Sequence, residues 1–175
     1  MISATNHSSF HVYRVGGLLG DDKVIKADDR ATILYYLRGS RTSNQWQFGL
    51  HAGGQTGIAV CHVSSPCLAQ CTTDYAPGHI VITMLSTPRQ AQFQLPSRGD
   101  RSFKGPDGRT YRWKSNAGLL RNEMQCSDTK GVVVATYRIT MMAVSKDGEL
   151  RINPPGRFMV DFLVATALAM RTPNF

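Results

Sequence analysis

The segment FMVDFLVATALAM, residues 158–170, decides the architecture of this chain. Asp161 and Thr166 are its only polar residues, and its alanines and leucines favour a helix. A helix that is apolar on every side must be buried on every side. This one is too short to cross a bilayer, which needs about 20 residues. We therefore predict a helix inside the protein, with Asp161 as its N-cap and the Thr166 hydroxyl bonded to a carbonyl one turn back.

Short β-prone segments, separated by glycine and proline turns, are predicted along the chain before this helix. Residues 80–85 are almost continuously apolar, which is typical of a strand buried on both faces. Asp147-Gly148 is typical of a tight turn, and an exposed turn is expected at 23–26. The predicted strands lie at residues 33–37, 46–50, 58–63, 80–85 and 91–95, in a hairpin over 102–113, and at 132–139 and 149–152.

This spacing of strands predicts a mainly β fold in a single domain, residues 1–175, with a flexible N-terminus at 1–9. The simplest arrangement is a closed antiparallel barrel with the helix 158–170 at its centre. The alternative is a sandwich of two sheets, with the helix covering one open edge.

The clearest local signal is the turn sequence Pro-Asp-Gly at 106–108, between two alternating segments. Proline sets the first corner of a turn and glycine accepts a positive φ, so a hairpin is predicted here. In its second strand Tyr111 and Trp113 share one face, while Arg112 and Lys114 share the other. We expect the aromatic face in the core and the basic face in solvent.

Positive charge is concentrated around this hairpin. The chain has a net charge of +8, and residues 98–121 hold seven basic and two acidic residues, a net of +5. By contrast, the only charged residues at 43–97 are Arg89 and Asp74. Such a cluster attracts the phosphate groups of lipids or nucleic acids, although a merely solvated face is the plain alternative. The predicted ligand-binding residues are Arg98, Arg101, Lys104, Arg109, Arg112 and Lys114.

Composition excludes several classes of protein. Hydrophobic residues make up 42% of the chain and charged residues 18%, so it is too apolar for a disordered chain. It contains no stretch of about 18 apolar residues that would predict a transmembrane helix. The N-terminus lacks the basic and apolar regions of a secretory signal. We expect a cytoplasmic protein, peripheral at membranes if it binds lipid, with reduced cysteines.

Metal binding is predicted only weakly. Cys61, His62, Cys67 and Cys71 are residue types that zinc accepts, but their spacing is not the paired C-x2-C form. Adjacent residues of a strand also point to opposite faces, which separates Cys61 from His62. No catalytic residue, metal or cofactor is therefore predicted.

Two acidic pairs near the start of the chain form another weak candidate, for calcium. These are Asp21 with Asp22 and Asp28 with Asp29, and their spacing is not that of an EF-hand loop. We expect instead an exposed turn around residues 23–26.

Four segments together resemble a fungal domain family of unknown function in the tubby C-terminal-like group, which also includes the plant LURP-one-related proteins and the phospholipid scramblases. They are F-x-G-x-x-G-x-x-Y-R-W-K at 103–114, VVATY at 133–137, LRI at 150–152 and VDFLVATA at 160–167. The resemblance is best over 100–170 and loose over 10–95. It implies a closed barrel of about twelve strands around a C-terminal hydrophobic helix. Tubby domains bind phosphoinositide headgroups through Lys and Arg, but no tubby headgroup motif matches here residue by residue.

Taken together, these features favour a non-enzymatic module that binds anionic phospholipid headgroups at the basic hairpin. Nucleic acid would respond to the same charges but is the less favoured ligand. A scaffold or stress- or defence-type protein without a lipid ligand is the second hypothesis, and its protein partner is unknown. An enzyme that uses the mouth of the barrel is the third.

Overall fold

The computed structural model describes residues 7–16, 20–42, 45–66, 79–86, 91–96, 101–115, 122–141 and 143–171. Within these ranges the chain forms one antiparallel sheet of 12 strands and a C-terminal helix, which confirms the predicted mainly β class. The strands are β1 (Ser8–Arg14), β2 (Lys23–Lys26), β3 (Ile33–Arg41), β4 (Gln45–Ala52), β5 (Ile58–Pro66), β6 (His79–Met84), β7 (Ala91–Pro96), β8 (Arg101–Lys104), β9 (Thr110–Ser115), β10 (Glu123–Asp128), β11 (Val133–Ile139) and β12 (Lys146–Ile152). The helix is α1 (Val160–Arg171).

The sheet is an up-and-down meander in the order β7-β6-β5-β4-β3-β2-β1-β12-β11-β10-β9-β8. Because neighbours alternate in direction, the turns at 27–32, 53–57, 105–109 and 129–132 share one end of the sheet, which we call the proximal end. The opposite end is the distal end. The sandwich alternative is wrong, because the strands form one continuous sheet rather than two.

Helix α1 lies against the inner face of this sheet, running from the proximal to the distal end. Residues 162–169 are all buried, and the helix contacts β5, β6 and β12. Its side chains also reach β3 through Tyr35 and β9 through Trp113. The predicted buried C-terminal helix is thus confirmed, and its bounds differ from 158–170 by at most two residues. No helix in the described ranges is long and apolar enough to cross a membrane.

The start of the helix differs from the prediction. A 3-10 helix, Pro154–Met159, precedes α1 directly, with proline at its first turn. Proline is favoured there because it lacks the amide proton that a first turn leaves unbonded. Asp161 is therefore the second residue of α1 and not an N-cap, and its carboxylate accepts a hydrogen bond from the Tyr35 hydroxyl instead.

Several strand predictions need correction. Ser8 and Ser9 begin β1 instead of belonging to a flexible N-terminus, and residues 1–6 lie outside the described ranges. The expected turn at 23–26 is β2. Strand β10 was not predicted at all, because its EMQCSD sequence is largely polar. Strand β6 is not buried on both faces: Ile80, Ile82 and Met84 point inward, while the residues between them are only half-buried.

The predicted tight turn at Asp147-Gly148 is a β-bulge inside β12. Val12 pairs with Gly148 and Tyr13 with Lys146, so Asp147 is the extra residue between them. A bulge re-aims the side chain of its extra residue. Here it turns Asp147 to the inner face, where only 2% of the residue is exposed.

The sheet ends at β7 and β8, and no hydrogen-bonded register joins these two strands among the described residues. They nevertheless contact each other, with Cα atoms within 8 Å.

Candidate functional site

The β8–β9 hairpin carries most of the predicted ligand-binding residues, and its turn has the predicted geometry. The Gly105 amide donates to the Arg109 carbonyl at 2.9 Å, and Gly108 has a φ of +76°, which suits glycine. Asp107 stabilises the turn, since its carboxylate accepts hydrogen bonds from the Arg109 amide at 3.1 Å and the Tyr111 hydroxyl at 2.8 Å. The hairpin is thus held by local contacts.

The inner face of β9 anchors the hairpin to the core. Tyr111 and Trp113 are each 2% exposed, as predicted. The indole Nε1 of Trp113 donates to the Thr166 hydroxyl of α1 at 3.0 Å. Because β9 alternates strictly, this anchoring turns Arg112 and Lys114 outward, and both are exposed.

Four of the predicted basic residues lie on the solvent side of this hairpin. Lys104, Arg112 and Lys114 project from the outer face of β8 and β9, and Arg109 is exposed in the turn. We call these four residues the outer basic face. Lys104 pairs with Thr110, so it is diagonal to Arg112 at a Cα spacing of about 7–8 Å. Long side chains at that spacing can reach one phosphate group.

The remaining two predicted residues do not join this face. Arg101 shares the inner face with Phe103, opposite Trp113 in the register, and is half-buried. Burial lowers the pKa of its guanidinium. Arg98 lies outside the described residues.

Carboxylates are sparse around the outer basic face. On β10, Gln125 pairs with Lys114 and Ser127 with Arg112, so both direct cross-strand partners are uncharged. Glu123, which is diagonal to Lys114, is paired with Arg138 at 3.3 Å. The Asp107 carboxylate lies 3.6 Å from Arg109, a separation that gives an exposed pair little strength. The local field of the hairpin is therefore positive.

The candidate zinc ligands are not brought together within the described chain. Cys61 is fully buried on the inner face of β5, while its neighbour His62 is exposed on the other face. Cys67 and Cys71 lie outside the described residues. Within the described ranges, no three His, Cys, Asp or Glu side chains lie close enough together to hold a metal ion. Cys61 and His62 cannot bind one ion together, as the alternation of a strand predicts.

The two acidic pairs are engaged separately. Asp22 accepts hydrogen bonds from the Tyr36 hydroxyl at 2.7 Å and the Gly39 amide at 2.9 Å, and Asp21 lies 3.8 Å from Arg41. The Asp29 carboxylate accepts bonds from the amides of residues 31 and 32 and so stabilises the turn after β2. Asp22 thus joins the segment before β2 to β3, and Asp29 stabilises the turn after β2. The exposed turn expected around 23–26 is wrong, because those residues form β2.

A buried ionic cluster at the distal end was not predicted. The carboxylate of Asp147 accepts hydrogen bonds from Lys23 Nζ at 2.6 Å, Arg14 Nη2 at 2.9 Å and the Tyr137 hydroxyl at 3.3 Å. Arg171, the last residue of α1, lies 3.9 Å away. Burial alone would raise the pKa of Asp147, but the cations outweigh it and hold that pKa below its ordinary value.

This distal cluster joins β1, β2, β12 and the end of α1. A cation at a helix C-terminus also complements the helix dipole. The one available signal was Arg171, a charged residue that directly follows the apolar segment 158–170, but its partner Asp147 is 24 positions away. The bulge that turns Asp147 inward has no counterpart in the local sequence pattern.

Comparisons with known proteins agree with this fold. The X-ray structure of protein AT5G01750 from Arabidopsis thaliana, of the LURP-one-related, tubby-like fold, is similar with a TM-score of 0.51 and 13% sequence identity, over 95% of this chain and 90% of that chain. At that identity the likeness concerns the fold alone. No curated protein sequence matches the chain. A model of the family of unknown function DUF6593 matches residues 23–172, so the chain belongs to that family.

Proposed function

We propose that this protein is a non-enzymatic binding module whose outer basic face docks on anionic phospholipid headgroups. The observation that carries the proposal is the outward grouping of Lys104, Arg112 and Lys114 on one rigid hairpin, with Arg109 at its turn. Each basic group near an anionic membrane contributes about 1 kcal/mol of binding free energy, so this face would give reversible, salt-sensitive attachment. The protein would then be peripheral at a cytoplasmic membrane surface.

Two features support specific binding of phospholipid headgroups over non-specific attraction to a negatively charged surface. Trp113 fixes β9 to the central helix, so the cations are presented on a preorganised strand rather than on a mobile loop. Arginine also forms paired hydrogen bonds with phosphate, so Arg109 and Arg112 would add geometric selectivity to the attraction of charge. An interior filled by residues 162–169 counts against an enzyme that uses the centre of the sheet.

We also propose that β7 and β8 complete a closed barrel. They are consecutive in the chain, and eleven antiparallel pairings around the sheet give them opposite directions. Their Cα atoms approach within 8 Å, and only four residues separate the two strands in the sequence. Closure would hold the basic hairpin from both sides. Long-range backbone amide contacts between β7 and β8 in NMR spectra would support closure, and their absence would overturn it.

Liposome co-sedimentation tests the functional proposal. Vesicles of phosphatidylcholine alone should not sediment the protein, whereas vesicles with added phosphoinositide or phosphatidylserine should, less so at high salt. A phosphoinositide preference at equal surface charge would identify headgroup recognition. Failure to sediment at low salt with either anionic lipid would overturn the proposal.

A matched pair of variants locates the site. Arg112→Glu/Lys114→Glu should abolish sedimentation, while Arg30→Glu/Arg38→Glu, which reverses two exposed cations near β3, should retain most of it. Equal loss in both variants would point to net charge rather than this face.

Fluorescence titration with a duplex DNA and a single-stranded RNA tests the alternative ligand. Tighter binding to either nucleic acid than to vesicles would favour nucleic acid.

A further inference from the structure

A cavity of about 400 Å³ opens at the proximal end of the sheet, beside the first turn of α1. Its walls are mostly apolar and come from β1, β3, β4 and β5, including Phe10, Leu34, Ala52 and Val60. Ile58 stands on its wall and is 82% exposed. Ligand sites in proteins span about 300–1,000 Å³ and are lined in this way, with a few polar groups. The cavity is therefore of the right size and character for a small ligand.

Asp161 is the one charged residue among the described residues that line this cavity. Its Oδ1 atom accepts a hydrogen bond from the Tyr35 hydroxyl at 2.7 Å, which fixes the orientation of the carboxylate. In the part of the chain that the structure describes, Asp161 makes no ion pair and no second side-chain hydrogen bond. The dipole of α1 favours an acidic residue in its first turn, but it provides no counter-ion.

Asp161 is half-buried at this cavity, and its charge acts on a buried neighbour. Burial, with a further contribution from the Asp161 carboxylate, raises the pKa of the neighbouring Cys61 thiol to about 12. A carboxylate in apolar surroundings without a cation is costly unless a donor compensates it. The cavity thus combines an apolar wall with one oriented acceptor that lacks a cationic partner.

We propose that this cavity binds a small amphiphile with an apolar body and a protonated amine, the amine donating to the Asp161 carboxylate. The body would pack against Phe10, Leu34 and Val60, with Ile58 at the mouth. Anionic molecules would be repelled by Asp161, so this site and the outer basic face would take ligands of opposite charge. The two sites are independent, because they rest on different strands and different residues.

NMR titration with three matched probes tests the proposal: 2-phenylethylamine, 2-phenylethanol and 3-phenylpropionate. The amine should bind tightest and the carboxylate weakest, with amide shifts grouped on β3, β4, β5 and the start of α1. Equal affinity for amine and alcohol, or shifts grouped elsewhere, would overturn the proposal. Arg112→Glu/Lys114→Glu should bind the amine as wild type does, so failure of lipid docking would not affect this result.

Two variants make the test specific. Asp161→Asn keeps an acceptor for Tyr35 but removes the charge, and it should weaken amine binding about tenfold or more while leaving the alcohol little changed. Asp21→Asn, which removes an exposed carboxylate, is the charge-matched control. Ala52→Leu fills the cavity without touching Asp161, and it should lose all three probes. Wild-type binding by Ala52→Leu would refute the site even if Asp161→Asn failed to fold.

Discussion

Trp113 on β9 and Thr166 on α1 form a buried hydrogen bond that links the hairpin carrying the outer basic face to the helix inside the sheet. The indole Nε1 donates to Thr166 Oγ1 at 3.0 Å, and the same hydroxyl donates to the Phe162 carbonyl at 2.8 Å. Both polar groups are thereby satisfied at a site without access to water. Trp113 on the inner face of β9 thus fixes the strand that carries Arg112 and Lys114 on its outer face.

Thr166→Val should destabilise the fold by about 1–3 kcal/mol. The substitution keeps the shape of the side chain but leaves the Trp113 Nε1 donor buried without an acceptor. Urea denaturation followed by tryptophan fluorescence measures the change. Thr136→Val on β11 is the matched control, since Thr136 is only half-buried and valine suits a strand. Equal stabilities of Thr166→Val and wild type would contradict the role assigned to this bond.

Asp147→Asn should cost about 3–5 kcal/mol at pH 7, because it leaves the cations of Arg14 and Lys23 partly buried without their counter-ion. The folded-state pKa of Asp147 is below its unfolded value of about 3.9. The stability from its charge is therefore fully present above about pH 4 and is lost as the pH falls through the folded pKa.

Denaturation of wild type and Asp147→Asn at several pH values tests this linkage. The gap between them should be constant from pH 7 to about pH 5 and should narrow below about pH 4. Glu123→Gln, which removes an exposed ion pair with Arg138, should cost less than about 1 kcal/mol. A gap independent of pH down to pH 2 would show that Asp147 contributes through packing and not through charge.

Arg101 and Arg112 should differ in their effect on vesicle binding, although both belong to one hairpin. Arg112→Gln removes an outward cation and should weaken binding to anionic vesicles about fivefold. Arg101→Gln should leave vesicle binding unchanged, since this side chain is half-buried on the inner face. Sedimentation at constant salt compares the two. Equal losses would mean that binding follows net charge and not the face on which a cation lies.

Gly148→Ala should destabilise the protein by about 1–3 kcal/mol through crowding. A Cβ atom at this position would lie 2.6 Å from the Tyr137 hydroxyl and 2.7 Å from the Arg138 carbonyl oxygen. Gly49→Ala is the control, because its nearest neighbour would be the movable His51 side chain at 3.2 Å. Thermal unfolding should separate the two variants. A Gly148→Ala protein as stable as Gly49→Ala would argue against the tight bulge.

The two described cysteines should be unreactive in the folded protein. Burial raises the pKa of both Cys61 and Cys126 to about 12, and only the thiolate is a nucleophile. In a Cys67→Ser/Cys71→Ser variant, a disulfide reagent at pH 8 should therefore titrate no thiol in buffer and two in guanidinium chloride. Rapid reaction of either thiol without denaturant would contradict the burial of these strands.

Features set by neighbours along the chain could be predicted well. A segment with only two polar residues predicted the buried helix, and Pro-Asp-Gly predicted the turn at 106–108. Strict alternation placed Trp113 inward and Arg112 outward. The six predicted basic residues were harder to place. Arg101 and Lys104 contribute equally to the positive charge of this segment. The register nevertheless places Arg101 on the inner face and Lys104 on the outer face.

Short polar strands were missed for a physical reason. Strand β2 has the sequence KVIK. Its first residue, Lys23, is predicted to be exposed to solvent unless its partner is known. That partner is Asp147, 124 positions away, turned inward by a bulge. The weak local preference of such a segment is overridden by contacts that form only when the sheet assembles.

The sequence by itself thus determined the class of fold, the buried helix and the basic hairpin, because periodicity and turn chemistry act between near neighbours. The tertiary structure alone decided which cations lie together outside, how Asp147 gathers Arg14, Lys23 and Arg171, and where Asp161 meets an apolar cavity. These relationships join residues that are distant in the chain. They depend on strand order, register and one bulge, and none of these can be recognised from the local pattern of residues.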